Sequence, residues 1–335
     1  MASLRRVHPA IASLAWPVAA LGLLVLFNLA FTPGFFSIEL RDGRLFGTPI
    51  DILNHASKVA IVAVGMTIVI ATGGVDLSVG AVVAIAGAIA AMLVTRTQAP
   101  FPIVILAALG AGGVAGLCNG FLVARLRLQP IVATLVLMVA GRGVAQLITD
   151  GLIITFEHRA LSSLANTSFA FLPIPAWLAI ALALLTGLCA RRTAAGLFVE
   201  AVGDNDRACR YAGVNDRAIK LVAYTFCGVS AGLAGLIETS YIKAADANNA
   251  GLFLELDAIL AVVIGGTSLS GGRFTLAGSL AGAVLIQTLT KTMYMHDVSA
   301  DVAPLPKAIA VLAVCVLQSP VVKGRIAGAF NRGRA

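Results

Sequence analysis

The chain has 335 residues, 59% of them apolar and only 12% charged, with a mean hydropathy of +0.95. Ordinary soluble domains carry roughly a quarter charged residues, so lipid must be the solvent for most of this one. The net charge of +8 raises the possibility of nucleic acid, but the basic residues sit in short clusters between apolar runs and read as topology signals, not as a nucleic-acid surface.

Arg5 and Arg6 precede an apolar stretch from Ile11 to Phe31, which is longer than a signal-peptide core and lacks a clear cleavage site; it is expected to be a retained first span. Spans are expected at 11–33, 56–72, 77–95, 100–123, 130–149, 171–190, 218–238, 256–267, 275–291 and 304–319. A chain of this length has room for about ten helices of roughly 20 residues each. The expected fold is therefore all-α and integral to the membrane, a single transmembrane domain over residues 1–335 with some short or discontinuous helices.

With both termini in the cytoplasm, alternation puts Arg125, Arg127, Arg191, Arg192, the stretch Arg207 to Lys220, Arg273 and the tail from Lys323 to Arg334 on the inside. That satisfies the positive-inside rule. The loops 34–55, 150–170, 239–255 and 292–303 then face outward. Cys118, Cys189, Cys227 and Cys315 lie in or beside apolar runs and Cys209 in a basic loop, so no disulfide framework is implied.

Gly112, Gly116 and Gly120, Gly228 and Gly232, and Gly278 and Gly282 recur at four-residue spacing, as at close helix contacts in membranes, although a glycine-rich chain produces some such spacings by chance. The second span ends in TGGVDLSVG from Thr72, and the eighth is short and runs into GGTSLSGG at Gly265. Such interruptions mark either a solute pathway or tight hairpin turns.

Arg142 falls in the middle of the apolar run 130–149, where an arginine costs about 2.5–3.5 kcal/mol. Thr134, Met138, Arg142 and Gln146 share one helix face, a candidate pathway or subunit seam. The structural alternative pairs Arg142 with Asp76 or Asp257, or lets it snorkel outward. Asp76 and Ser78 suit the head of the third span, either as caps or as pathway groups. Asn54, ahead of the second span, and Thr72, at its end, join the pathway candidates. Asp246, Asn248, Asn249, Glu255 and Asp257 crowd the approach to the eighth span and offer acceptors to sugar hydroxyls or a docking protein, unless the loop is merely solvated.

The longest inside loop, about 191–217, contains DRACRYA, a helix of roughly two turns that Asn205 or Asp204 would cap and Gly213 would end. It has no core of its own, so it lies on the membrane surface or fits into a partner protein. None of the six lysines follows a glycine, which removes the GxxxxGK[ST] phosphate loop. The four histidines are scattered, and HExxH and paired CxxC are absent, so neither a metal site nor nucleophilic catalysis is expected.

Three stretches, GMTIVIATGGVDLSVGAVVAIAG from Gly65, EAVGDNDRACRYAGV from Glu200 and LELDAILAVVIGGTSLSGGRFTLAG from Leu254, resemble the permeases of carbohydrate ABC importers related to the ribose and branched-chain amino-acid systems. DGRLFGTPIDILN from Asp42, MVAGRGVAQLIT from Met138 and ADANNAGLFLELDAILAVVIGG from Ala245 are most similar to the galactofuranose branch of that family. The resemblance implies a ten-helix type II importer fold, a second and non-identical permease subunit, a cytoplasmic ATP-binding subunit that holds ATP and Mg²⁺, and a periplasmic sugar-binding protein, with no cofactor in this chain. It also implies that Glu200, Gly203, Asn205, Ala208, Tyr211, Ala212 and Gly213 belong to a coupling helix. An ion-coupled secondary sugar transporter, a permease for ribose or another pentose or hexose, and a membrane scaffold remain alternatives.

Overall fold

The computed structural model describes residues 9–41, 44–299, 302–309 and 312. Helix α1 (Pro9–Phe31) leads into a hairpin of β1 (Ile38–Arg41) and β2 (Arg44–Gly47), followed by α2 (Thr48–Ala71), α3 (Val79–Arg96), α4 (Phe101–Ala124) and α5 (Pro130–Thr149). A crossing segment then holds β3 (Ile154–Thr155), α6 (Arg159–Asn166), β4 (Ser168–Phe169) and β5 (Leu172–Pro173). The chain continues through α7 (Ile174–Arg192), α8 (Ala194–Asp204), α9 (Asp206–Tyr211), α10 (Asp216–Ile242), β6 (Ala244–Ala245), α11 (Leu254–Ile264) and α12 (Leu276–Met295). Proline at the first or second helical position opens α2, α4, α5 and α7, where its missing N–H leaves no bond unmade.

The core is built on α2 and α10. Ile61, Val62, Ala63 and Val64 are buried on every side of α2, as an all-round apolar helix requires. The α4–α10 contact depends on glycine: a Cβ at Gly112 would meet the Gly228 carbonyl, and one at Gly116 would meet the Tyr224 carbonyl. The four-residue spacing is thus a true packing seam. On the rim, α1 fastens to α12 through Asn28 Nδ2 donating to Thr292 Oγ1 at 2.8 Å.

Among the described residues, α1, α2, α3, α4, α5, α7 and α10 are long and apolar enough to cross a membrane. The remaining expected spans differ in kind. The eighth is an 11-residue helix, α11, too short to cross alone, and α12 is long enough at 20 residues but carries Ser279, Gln287 and Lys291. The tenth, 304–319, is described only to Ile309 and at Leu312; Arg5, Arg6, Asp42, Cys315 and the tail 323–334 lie outside the described residues.

Three boundaries move for one reason. Helix α2 begins at Thr48, where a loop to residue 55 was expected, so Asn54 lies inside the helix; α10 continues to Ile242, and α12 to Met295. Each extension carries polar or charged residues that hydropathy assigns to loops. A second helix, α8, also stands in the inside loop, so Glu200 and Gly203 lie on α8 and not on the expected short helix.

Candidate functional site

Functional candidates gather at opposite ends of the bundle. At one end, α8 and α9 form a bent pair that projects from α7 and α10. Asn205 Oδ1 accepts the Ala208 N–H at 2.9 Å and caps α9. Gly213, at φ +83°, ends it: its N–H bonds the Arg210 carbonyl at 3.1 Å, and the Val214 N–H bonds the Cys209 carbonyl at 2.9 Å. Lys220 donates to Asp206 at 3.1 Å, and Arg210 lies 3.5 Å from Asp206 and 3.4 Å from Asp216, which ties α9 to the start of α10. Burial pushes the Asp206 carboxyl up, but Lys220, Arg210 and Arg207 together hold it below the usual carboxylate range. Ala208 and Ala212 lie on the exposed side of α9 beside Tyr211, whose side chain is 94% exposed.

Gly203 joins this pair to the bundle. A Cβ there would meet the Ala71 carbonyl and the Gly272 amide, and the Gly272 N–H itself donates to the Ala71 carbonyl at 2.9 Å. The connector after α2 and the connector after α11, separated by two hundred residues of sequence, therefore touch each other under α8. Thr72 is buried and bonds the Val69 carbonyl at 2.8 Å. Asp76 and Ser78 are buried too; Asp76 Oδ1 accepts the Ser78 N–H at 2.9 Å, the Ser78 hydroxyl at 2.7 Å and Asn119 Nδ2 at 3.2 Å. Asp76 thus braces the turn two residues ahead of α3 instead of capping the helix directly.

At the other end, the α5 stripe divides. Thr134 is buried and bonds its own helix at the Pro130 carbonyl, 2.9 Å away. Arg142 reaches neither Asp76 nor Asp257. Its Nη1 donates to the carbonyls of Ala247 and Ala250, at 3.0 and 2.6 Å. The segment between β6 and α11 enters the bundle without regular structure, with Ala245, Ala247 and Ala250 buried. Non-helical backbone at that depth needs donors from the protein, and an arginine about 10 Å below the end of α5 supplies them. Gln146 Nε2 donates to Asn248 Oδ1 at 2.6 Å, while Asp246 accepts from Asn248 N–H, Asn249 N–H and Asn249 Nδ2 at 3.0, 3.2 and 2.7 Å. Burial raises the Asp246 carboxyl, yet the bonds from Asn249 and Asn248 and the charge of Arg142 hold it below its ordinary range.

The pinned segment forms one wall of a cavity of about 1170 Å³ between α2, α10, α11, α12, residues 303–308 and Leu312. Three ion pairs line it: Lys58 with Glu238 at 3.2 Å, Lys291 with Asp51 at 2.9 Å, and Lys307 with Asp257 at 3.0 Å. Gln287 adds a bond to Asp257 at 3.3 Å. Of the expected pathway residues, Asn249 and Asp257 line this space; Glu255 turns inward and is buried. Asn54 faces α6, with Nδ2 3.5 Å from the Ala165 carbonyl, and its buried Oδ1 has no partner among the described residues.

Sequence reading did not single out Asp51, His55, Lys58, Glu238, Gln287, Lys291 or Lys307. A signal was present: Asp51, His55 and Lys58 recur at i, i+4 and i+7 on α2, and Gln287, Lys291 and Tyr294 do so on α12. Two polar stripes at helical spacing at the rim of apolar runs mark a shared wet face. Among the described residues, no group of three His, Cys, Asp or Glu side chains stands close enough to hold a metal ion.

An all-helical, multi-pass membrane protein with interrupted helices around a charged cavity is, as a class, a transport permease of the inner membrane. The chain belongs to the family described as the permease component of branched-chain amino acid transport systems, whose profile matches residues 48–317. It is 51% identical to the galactofuranose transporter permease protein of Escherichia coli (strain K12), over 95% of each chain. It is 41% identical to the fructose import permease protein of Bifidobacterium longum (strain NCC 2705), covering 92% of this chain and 88% of that one. To the ribose import permease protein of Escherichia coli (strain K12) it is 36% identical, covering 89% and 92%. No solved structure matches the chain.

Proposed function

We infer that this chain is the transmembrane permease subunit of an ATP-driven importer for a monosaccharide, galactofuranose, and that it works by alternating access. The observation that carries this reading is mechanical. Gly203 locks the projecting α8–α9 pair against both connectors at once, so a push on α9 is delivered to the ends of α2 and α11 without passing through lipid. Packed backbone of this kind transmits displacement because it has no slack to absorb it.

In this reading α9 is the coupling helix and fits a cleft in a cytoplasmic ATP-binding subunit, which holds ATP and Mg²⁺; this chain contributes no cofactor and no catalytic group. Both termini and α8–α9 face the cytoplasm, and the cavity faces the periplasm, where a sugar-binding protein delivers its cargo. A second, non-identical permease completes the pathway. The sugar assignment follows from the galactofuranose, fructose and ribose permeases to which the chain is similar.

The test is uptake of labelled galactofuranose into proteoliposomes that hold this chain, its partner permease, the ATP-binding subunit and the sugar-binding protein. ATP-dependent accumulation is expected. Accumulation that runs on a proton or sodium gradient without the ATP-binding subunit would sink the proposal, and preference for ribose or fructose would overturn the sugar assignment alone.

A further inference from the structure

We propose that the cavity between α2, α10, α11 and α12 is a sugar-binding subsite within the permease itself, one that recognises a neutral polyhydroxylated ring and contributes to selection of the cargo. The inference rests on the reading of the chain as a sugar importer and adds a place and a recognition chemistry to it.

Among the described residues, the cavity's charges are balanced in number and in space. Its carboxylates are Asp51, Glu238 and Asp257, its ammonium groups Lys58, Lys291 and Lys307, and each carboxylate has its own ammonium within 3.2 Å. A wall of this kind holds no free charge for an anion or a cation to neutralise. A zwitterionic amino acid would need one unpaired carboxylate and one unpaired ammonium side by side, and every charge here is already paired. A sugar hydroxyl is different, because it donates to a carboxylate and accepts from an ammonium at once. It can bridge an ion pair without breaking the neutrality of the site.

The rest of the lining suits the same ligand. Leu252, Leu256 and Leu260 give apolar surface for the C–H face of a ring, and Phe253 and Tyr294 are half-exposed into the space. Phe253 sits at φ +61°, a backbone conformation rare for a bulky residue, in the segment that Arg142 fixes. A volume of about 1170 Å³ exceeds that of a tightly fitted pocket and leaves room for a monosaccharide with several waters. Weak, wet binding is what a transported solute requires, since a tight site would not release it.

The three pairs also span different elements, α2 with α10, α2 with α12, and α11 with residue 307. A ring that shares their hydrogen bonds would loosen the ties between those helices, so occupancy and helix position become linked.

The experiment uses the complete transporter in proteoliposomes and compares Asp51→Asn, Lys291→Met and Asp257→Asn with the unaltered complex and with Arg96→Gln, an exposed pair far from the cavity. Uptake KM for galactofuranose is expected to rise about tenfold in each cavity variant, the loss of one charge-assisted bond; Arg96→Gln should match the unaltered complex. The reversed pair Asp51→Lys with Lys291→Asp separates binding from folding: it should restore assembly but not KM. Full recovery of KM by the reversed pair would show the pairs to be structural clasps and overturn the proposal, as would unchanged KM in all three variants or saturable uptake of leucine inhibited by the same substitutions. If the unaltered complex accumulates sugar on ATP while those results fail, only the subsite is lost; if it accumulates none, the importer reading falls first.

Discussion

Arg142 shows how one residue is understood only through what it touches. A charge mid-span announces a polar requirement, and the requirement is two main-chain carbonyls of a segment that enters the bundle unwound. Replacing it with Met keeps the bulk and removes both bonds, so about 2 kcal/mol of stability should be lost, together with ordering of residues 246–253; thermal unfolding in detergent and hydrogen exchange would read this. Unchanged exchange in that segment would refute the role. Asp246 in the same segment has a pH dependence with a definite sign. Its carboxyl is held below the ordinary range when folded, so its contribution is complete above the unfolded value of about 3.9 and disappears as pH falls through the lower, folded one. Protection of the Asn248 and Asn249 amides should therefore persist at neutral and mildly acidic pH and fade only below the ordinary carboxylate range, and Asp246→Asn should remove that dependence. At the opposite end, Asn205→Ala deletes the α9 cap and should cost about 1 kcal/mol of local helix stability, seen as faster exchange in residues 206–211 with the bundle unaffected.

Among the elements, the α8–α9 pair and the two connectors behave as one unit because three backbones meet where Gly203 has no side chain. Gly203→Val places two branches on the Ala71 carbonyl, and overpacking of this sort costs about 1–3 kcal/mol. The expected result is a protein that still inserts but whose uptake falls at least about tenfold for a comparable rate of ATP hydrolysis. Tyr211→Glu should uncouple in the same way from the partner side, since its ring is exposed and supports nothing within the chain. Uptake unchanged in both variants would remove the mechanical reading. The short helix itself was legible because its signals are local: an Asn cap, six helical residues and a Gly at positive φ. Helix α8 was not, since AAGLFVEAVGD is apolar and short and follows an arginine pair that reads equally well as the end of a span.

Across the whole molecule, composition decides the solvent, and the solvent decides that backbone bonds close within helices. That is why the order of the apolar helices could be read from runs of hydrophobic residues, and why the glycine spacings forecast the α4–α10 seam. The same hydropathy misplaced the ends of α2, α10 and α12, because polar or charged residues that face the protein interior are indistinguishable, one residue at a time, from those in a loop. The sequence alone determined a lipid-embedded, all-helical protein with interrupted spans, since each of those properties is local or additive along the chain. Only the tertiary structure decided which charges pair, that both connectors meet beneath Gly203, and that Arg142 serves a main-chain segment instead of a carboxylate, because each joins residues separated by up to 240 positions through helix packing that no local pattern encodes.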